Sequence, residues 1–144
     1  MVNLARTTDQ KILAAWAIDC VEHVMPYFEE KYPQDNRPRK AIEALQEWME
    51  TGIFKMLIIR KASLDAHAAA RDVGEDSPAR SAARAAGQAV ATAHVPQHAL
   101  GSAIYAQQAL YRATTPSDGD TAVAKERDWQ YQHLLALKDI HRPC

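Results

Sequence analysis

The chain has 144 residues, 47% of them apolar and 24% charged, with a formal net charge of −1. That length suits one domain spanning residues 1–144, large enough to bury a real core. The near-balance of charge leaves no overall electrostatic footprint for nucleic acid or an anionic membrane, both of which call for a strong basic excess.

The hydrophobic period is helical along nearly the whole chain. Leu13, Trp16, Ala17, Cys20, Val24 and Phe28 recur at three and four residues and form one stripe. "TTDQ" ahead of it offers a threonine cap with glutamine three residues on, and Pro26 should bend or end this helix. "YPQDNRPRK" (32–40) reads as a loop in which Asp35 or Asn36 caps the next helix, with Pro38 in its first turn. That helix carries Ile42, Leu45, Trp48 and Met49 and stops at Gly52, the expected left-handed residue after its end. From Ile53 to about Val73, "IFKMLII" has strand-like composition. Its continuation into "KASLDAHAAARD" favours one long helix, because alanine and straight side chains are strong helix formers.

"GEDSPAR" (74–80) is a break, with Ser77 as cap and Pro78 opening the next helix. An alanine-rich stretch, 79–113, follows and is interrupted by Pro96. Ala83, Gly87 and Ala91 share one face of it, so its helices should form the central, closely packed pair, with Trp16, Phe28, Trp48 and Trp129 filling wider gaps around them. After "TTPSDGD" (114–120), a last helix over about 121–141 places Val123, Trp129, Leu134, Leu137 and Ile140 near one side. The expected architecture is all-α, a single compact bundle of about six helices. The helix–turn–helix lengths are also those of HEAT-like stacked hairpins, although no period repeats.

Several polar residues lie close to these apolar faces. "TAHVPQHAL" puts His94 and His98 four apart, the spacing at which two imidazoles on a helix hold one metal, but without the glutamate of HExxH. Pro96 between them argues instead for one helix ending near Ala93–Val95 and another beginning near Pro96. "DCVEH" gives Asp19 and His23, again four apart. If the two segments pack together, Asp19, His23, His94 and His98 make a mixed carboxylate–imidazole cluster, open to metal binding or acid–base catalysis. The plain alternative is an Asp–His pair hydrogen-bonded along its own helix. Arg37, Arg39 and Lys40 crowd a helix start, where cations are mildly disfavoured. They read either as a contact for an anion or acidic partner, or as a solvated loop whose arginines pair with Asp35 and Glu43. Arg71, Arg80, Arg84 and Arg112 among alanines can cover helix surfaces with their stems or pair with Asp19 or Asp65, with Tyr105 and Tyr111 donating into the same network.

Other chemistries find no motif. There is no phosphate loop, no GxSxG elbow and no CxxC. Cys20 reads as a small core residue, and Cys20 with Cys144 is no disulfide framework. The first ten residues lack a signal-peptide core, and "MLII" (56–59) falls far short of the roughly 18 apolar residues of a membrane span. The expected compartment is the cytoplasm, with both thiols reduced.

As a set, "LAAWAIDCVEHVMPYFEEKYPQDNRPRKAIEALQEW", "AARAAGQAVATAHVPQHALGSAIYAQQAL" and "KERDWQYQHL" resemble the Imm-5-like immunity proteins, a family of small prokaryotic all-α proteins. The resemblance runs from about Leu13 to Leu134, and the segment "SLDAHAAARDVGED" follows the pattern only loosely. It implies a cytoplasmic protein, without a cofactor, that binds and neutralises a cognate toxin of a polymorphic toxin system. Its motif positions here are Asp19, Cys20, His23, Arg37, Pro38, Arg39, His94, His98 and Tyr105. Some members carry a label relating them to an exonuclease of the SbcC kind. Such an ATPase needs a phosphate loop and long coiled-coil arms, which this chain lacks. The small-residue helix faces would also suit a homodimer.

Overall fold

A computed structural model describes residues 1–140, so Cys144 and the end of the last expected helix lie outside the described residues. Among the described residues there are eight helices and no strand: α1 (Val2–Arg6), α2 (Gln10–Glu22), α3 (Met25–Glu29), α4 (Arg37–Thr51), α5 (Met56–Asp72), α6 (Pro78–Ala91), α7 (His98–Ala113) and α8 (Gly119–Ile140). The all-α expectation holds. The count exceeds six because of two five-residue helices, α1 and α3, which are too short to carry a visible period.

The breaks follow local chemistry. Asp9, not Thr7, caps α2, its carboxylate accepting from the Lys11 N–H. Pro26 sits in the first turn of α3 after a short break, so the proline starts a new helix rather than bending the old one. Gly52 ends α4 at φ +69°, a conformation costly for any residue with a Cβ, and its N–H caps the Trp48 carbonyl. Ser77 caps α6 through the Arg80 N–H, with Pro78 as first helical residue. The stretch around Pro96 is a break: α6 stops at Ala91 and α7 starts at His98. The Gln10 side chain donates to the Thr92 and Ala93 carbonyls that this break leaves without helical partners.

α6 is the centre of the molecule. It touches α2, α3, α4, α5 and α7, and its contact with α7 is the most extensive between any two helices. It buries Ala79, Ala82, Ala83, Ala85, Ala86, Gly87, Ala89 and Val90 on several sides, which only small side chains allow. Bulk is supplied at the α2–α3 end by Leu13, Trp16, Met25 and Phe28, all essentially inaccessible. Trp48 is buried from α4, whereas Trp129 is only half-buried on α8.

The α5–α6 contact shows how tight the approach is. The His67 ring lies flat against α6, and a methyl added at Gly87 would fall 2.6 Å from His67 Nε2. Beside it, Ser63 Oγ donates to the Gly87 carbonyl, and Arg84 Nη1 donates to His67 Nδ1 at 2.9 Å. An imidazole that accepts from a guanidinium must be neutral. Burial first, then the charges of Arg84 and Arg71 and nearby His98, hold the His67 pKa down to about 4.

Gly87→Ala is expected to cost about 1–3 kcal/mol in urea denaturation, and clearly less in a His67→Ala background. Equal costs in both backgrounds would show that Gly87 does not serve this approach. The unfolded chain titrates its histidine near pH ~6.5 and takes up the proton first. The His67 contribution is therefore complete above about pH 6.5 and is lost as the pH falls toward 4. His67→Asn keeps an acceptor for Arg84 but cannot titrate, so its melting temperature should fall less between about pH 7 and pH 5. A pH profile as steep as that of the unmodified chain would refute the assignment.

Candidate functional site: a carboxylate–imidazole junction between α2 and α8

Asp19 on α2 and His23, which caps the end of α2, lie one turn apart; the His23 N–H donates to the Asp19 carbonyl, but the two side chains do not bond to each other. Each reaches across to α8. His23 Nδ1–H donates to Glu126 at 2.6 Å, and His133 Nε2–H donates to Asp19 at 2.7 Å. Between the two imidazoles stands Trp129, its ring 3.7 Å from His23 and 4.7 Å from His133, centroid to centroid. The result is two antiparallel carboxylate–imidazole pairs around an indole, closing α8 onto α2.

The two acids differ in surroundings. The Asp19 carboxyl is nearly half exposed, whereas the Glu126 side chain is 4% exposed. Burial raises the Glu126 pKa, and the His23 imidazole works against that rise. Cys20 lies in the core beside them. Burial first, then the Glu126 and Asp19 carboxyls, push its thiol pKa well above the ordinary value, so it stays a protonated core group.

One turn along α8, Gln130 completes the attachment. It is fully buried, its Nε2 donates to the Ala103 carbonyl of α7, and its Oε1 accepts from Gln107. Its backbone carbonyl accepts from Trp16 Nε1 at 2.8 Å. One residue thereby joins α2, α7 and α8.

The other expected site residues lie elsewhere. His94 is exposed in the α6–α7 connection and stacks on Phe54, centroids 6.0 Å apart and 9° between planes. His98 opens α7 and donates from Nδ1 to Gln88 Oε1. The set Asp19, His23, His94 and His98 is therefore divided between two regions. Among the described residues no group of three or more His, Cys, Asp or Glu side chains is placed to hold a metal ion.

Arg37 forms a fork with Asp35 and also reaches Asp72 at the end of α5. Arg39 bridges Glu29 of α3 and Glu22 of α2. Asp35 is thus the pairing foreseen, while Glu22, Glu29 and Asp72 stand where Glu43 was expected. These hydrogen bonds lower the Asp35 pKa and raise those of both arginines. The pairs fasten the 30–36 loop to the start of α4 and tie that start to α2, α3 and α5. Being partly exposed, they add little stability individually.

Tyr105 is half-buried on α7 with its ring against the core, and among the described residues it makes no hydrogen bond. The network expected to include it is built instead from Ser81, Gln108, Arg112 and Asp76. Asp65 pairs with Lys61 at the surface. Glu126, Gln130 and His133 were missed by the sequence reading. Their signal was present: with Leu134 and Leu137 they recur at helical spacing along one face of α8.

Helices packed around an alanine-rich centre, with carboxylates and imidazoles joining one helix to the next, define an all-α helical bundle. The chain belongs to the family described as Imm-5 like putative immunity protein, whose profile matches residues 3–137. No curated protein and no solved structure matches it.

Gln130→Leu should lower stability by about 1–3 kcal/mol despite its similar volume, since it strands the Gln107 amide and the Ala103 carbonyl. Glu126→Gln retains an acceptor for His23 and removes a buried charge, so its urea midpoint at neutral pH should equal or exceed that of the unmodified chain. A marked fall would mean that the carboxylate charge itself holds the junction.

Proposed function

We propose that this protein neutralises a cognate toxin of a polymorphic toxin system by binding it as a protein partner. The observation that carries the reading is membership of the immunity family over residues 3–137. The arrangement of the polar residues is in keeping with it. Asp19, His23, Arg37 and Arg39 each engage a side chain from another helix or from a flanking loop, a use of charge that stiffens a binding scaffold. No helix among the described residues is long and apolar enough to cross a membrane. We place the protein in the cytoplasm, where a toxin acting on the producing cell would have to be met.

Co-expression with a candidate toxin taken from a gene neighbouring this chain's own tests the proposal. Growth arrest by the toxin alone should be relieved when the chain is present, and the two should elute as one complex of defined stoichiometry. Arrest that persists, or relief without a complex, would overturn binding as the mode of protection.

A further inference from the structure

The apolar run of α5 and the residues before it point outward. Gly52 turns the chain away from α4, and Ile53, Phe54, Met56, Leu57 and Ile58 follow at 60%, 42%, 42%, 82% and 51% exposure. The buried stripe of α5 begins only at Ile59 and continues through Ala66, Ala69 and Ala70. The exposed surface does not stop at this segment. The Phe54 ring stacks on His94, Leu64 and Val95 are also exposed, and a depression of about 300 Å³ lies between Met56, Leu64, Arg60 and His94. A single exposed leucine is ordinary, but a patch larger than the ~300–600 Å² of a typical monomer marks a contact surface. These seven side chains expose on the order of 700 Å², close to the ~800 Å² that each side of a standard interface contributes.

Charge around this ledge is one-sided on its long flank. Lys55 and Arg60 border it without a carboxylate partner among the described residues, whereas Lys61 is taken by Asp65. Beyond it, residues 77–117, which include all of α6 and α7, contain no aspartate or glutamate and three arginines. On the α4 side Glu47 shares a small depression with Ile53, Lys55 and Ile58.

We propose that this ledge is the docking surface for a partner protein, and that the partner seats there an apolar helix or segment flanked by carboxylates. The apolar side chains cover Leu57 and fill the depression between Met56 and Leu64, and the carboxylates meet Lys55 and Arg60. The inference rests on the reading of the chain as a partner-binding protein and adds where the partner binds and with what chemistry. Burial of the ledge supplies the affinity, and the cations set orientation and association rate.

The test uses the intact protein and two fluorescent amphipathic peptides with the same leucine face. One carries glutamate on its flanks and the other lysine. The glutamate peptide should bind about tenfold or more tighter, a preference of about 1.4 kcal/mol or more, and should weaken as salt is raised. Leu57→Asp should abolish binding without changing the melting temperature. Ile104→Asp, at another exposed apolar residue, on α7, should not affect it, and Arg60→Glu should reverse the peptide preference. Equal binding of the two peptides, or binding that survives Leu57→Asp, would overturn the proposal. So would a dimer in sedimentation equilibrium that Leu57→Asp dissolves, or tighter binding of an RNA oligonucleotide than of the glutamate peptide. The assay contains no toxin, so its outcome is separate from that of co-expression. Failure here with protection there removes the ledge proposal alone, and the reverse result removes the immunity reading alone.

Discussion

The close approach of α6 to five other helices is the constraint on which the structure depends. A helix can be surrounded in this way only if its side chains are small on nearly every side, and "PARSAARAAGQAVA" meets that requirement. The arrangement has an energetic consequence. Alanine buries little area, so a centre of this kind gains less from the hydrophobic effect per residue than one of leucine and phenylalanine. Part of the difference is made up by dense contact between backbones. The rest comes from the large side chains at the α2–α3 end and from polar groups laid flat across the helices. His67 over Gly87 is such a group. Its ring occupies space that a methyl would otherwise take, and it is fastened by Arg84 rather than by apolar neighbours.

The same economy of apolar area explains α8. Its inner face carries Glu126, Gln130 and His133 beside Leu134 and Leu137, and its attachment is largely a matter of hydrogen-bond geometry. Such a contact is exacting: a buried amide or carboxyl that loses its partner pays the full cost of desolvation. A slipped or rotated α8 would strand Gln130 and Glu126 together. Polar attachment therefore specifies one position of α8 where a few leucines would tolerate several. Trp129, held between two imidazoles, limits rotation further.

Features governed by neighbours in the chain were legible in the sequence. Ser77–Pro78, Gly52 and Pro96 act within one turn, and each marks a boundary in the structure. The alanine-rich stretch announced a closely packed centre, and α6 and α7 do form its most extensive contact, but the Gly87–Ala91 side of α6 lies against α5, at His67 and Ser63, and not against α7. What could not be read was which polar side chains meet. The spacing of Asp19 and His23 shows that they share a face of α2, but not what lies opposite. Their partners are His133 and Glu126, more than a hundred residues further along, on a helix whose charged pattern resembles a solvated surface. His94 and His98 illustrate the converse. Spacing joined them to the α2 pair, whereas the bend at Pro96 directs one ring toward Phe54 and the other toward Gln88. Local chemistry decides where helices stop, and only packing decides what faces what.

The ledge on α5 was partly legible by a count that needs no tertiary information. Successive residues on a helix are turned by about 100°, and the inward stripe of a surface helix is not much wider than that. Four apolar residues in a row, Met56 to Ile59, therefore cannot all face inward, and at least two must be offered to solvent or to a partner. Ile59 alone is buried, because the stripe it begins continues through alanines that fit against α6. A longer residue along that stripe would push α5 away from α6. The tightness of the centre and the exposure of the ledge are thus linked: a helix that lies close against α6 turns its small residues inward, and its large apolar residues are left on the surface.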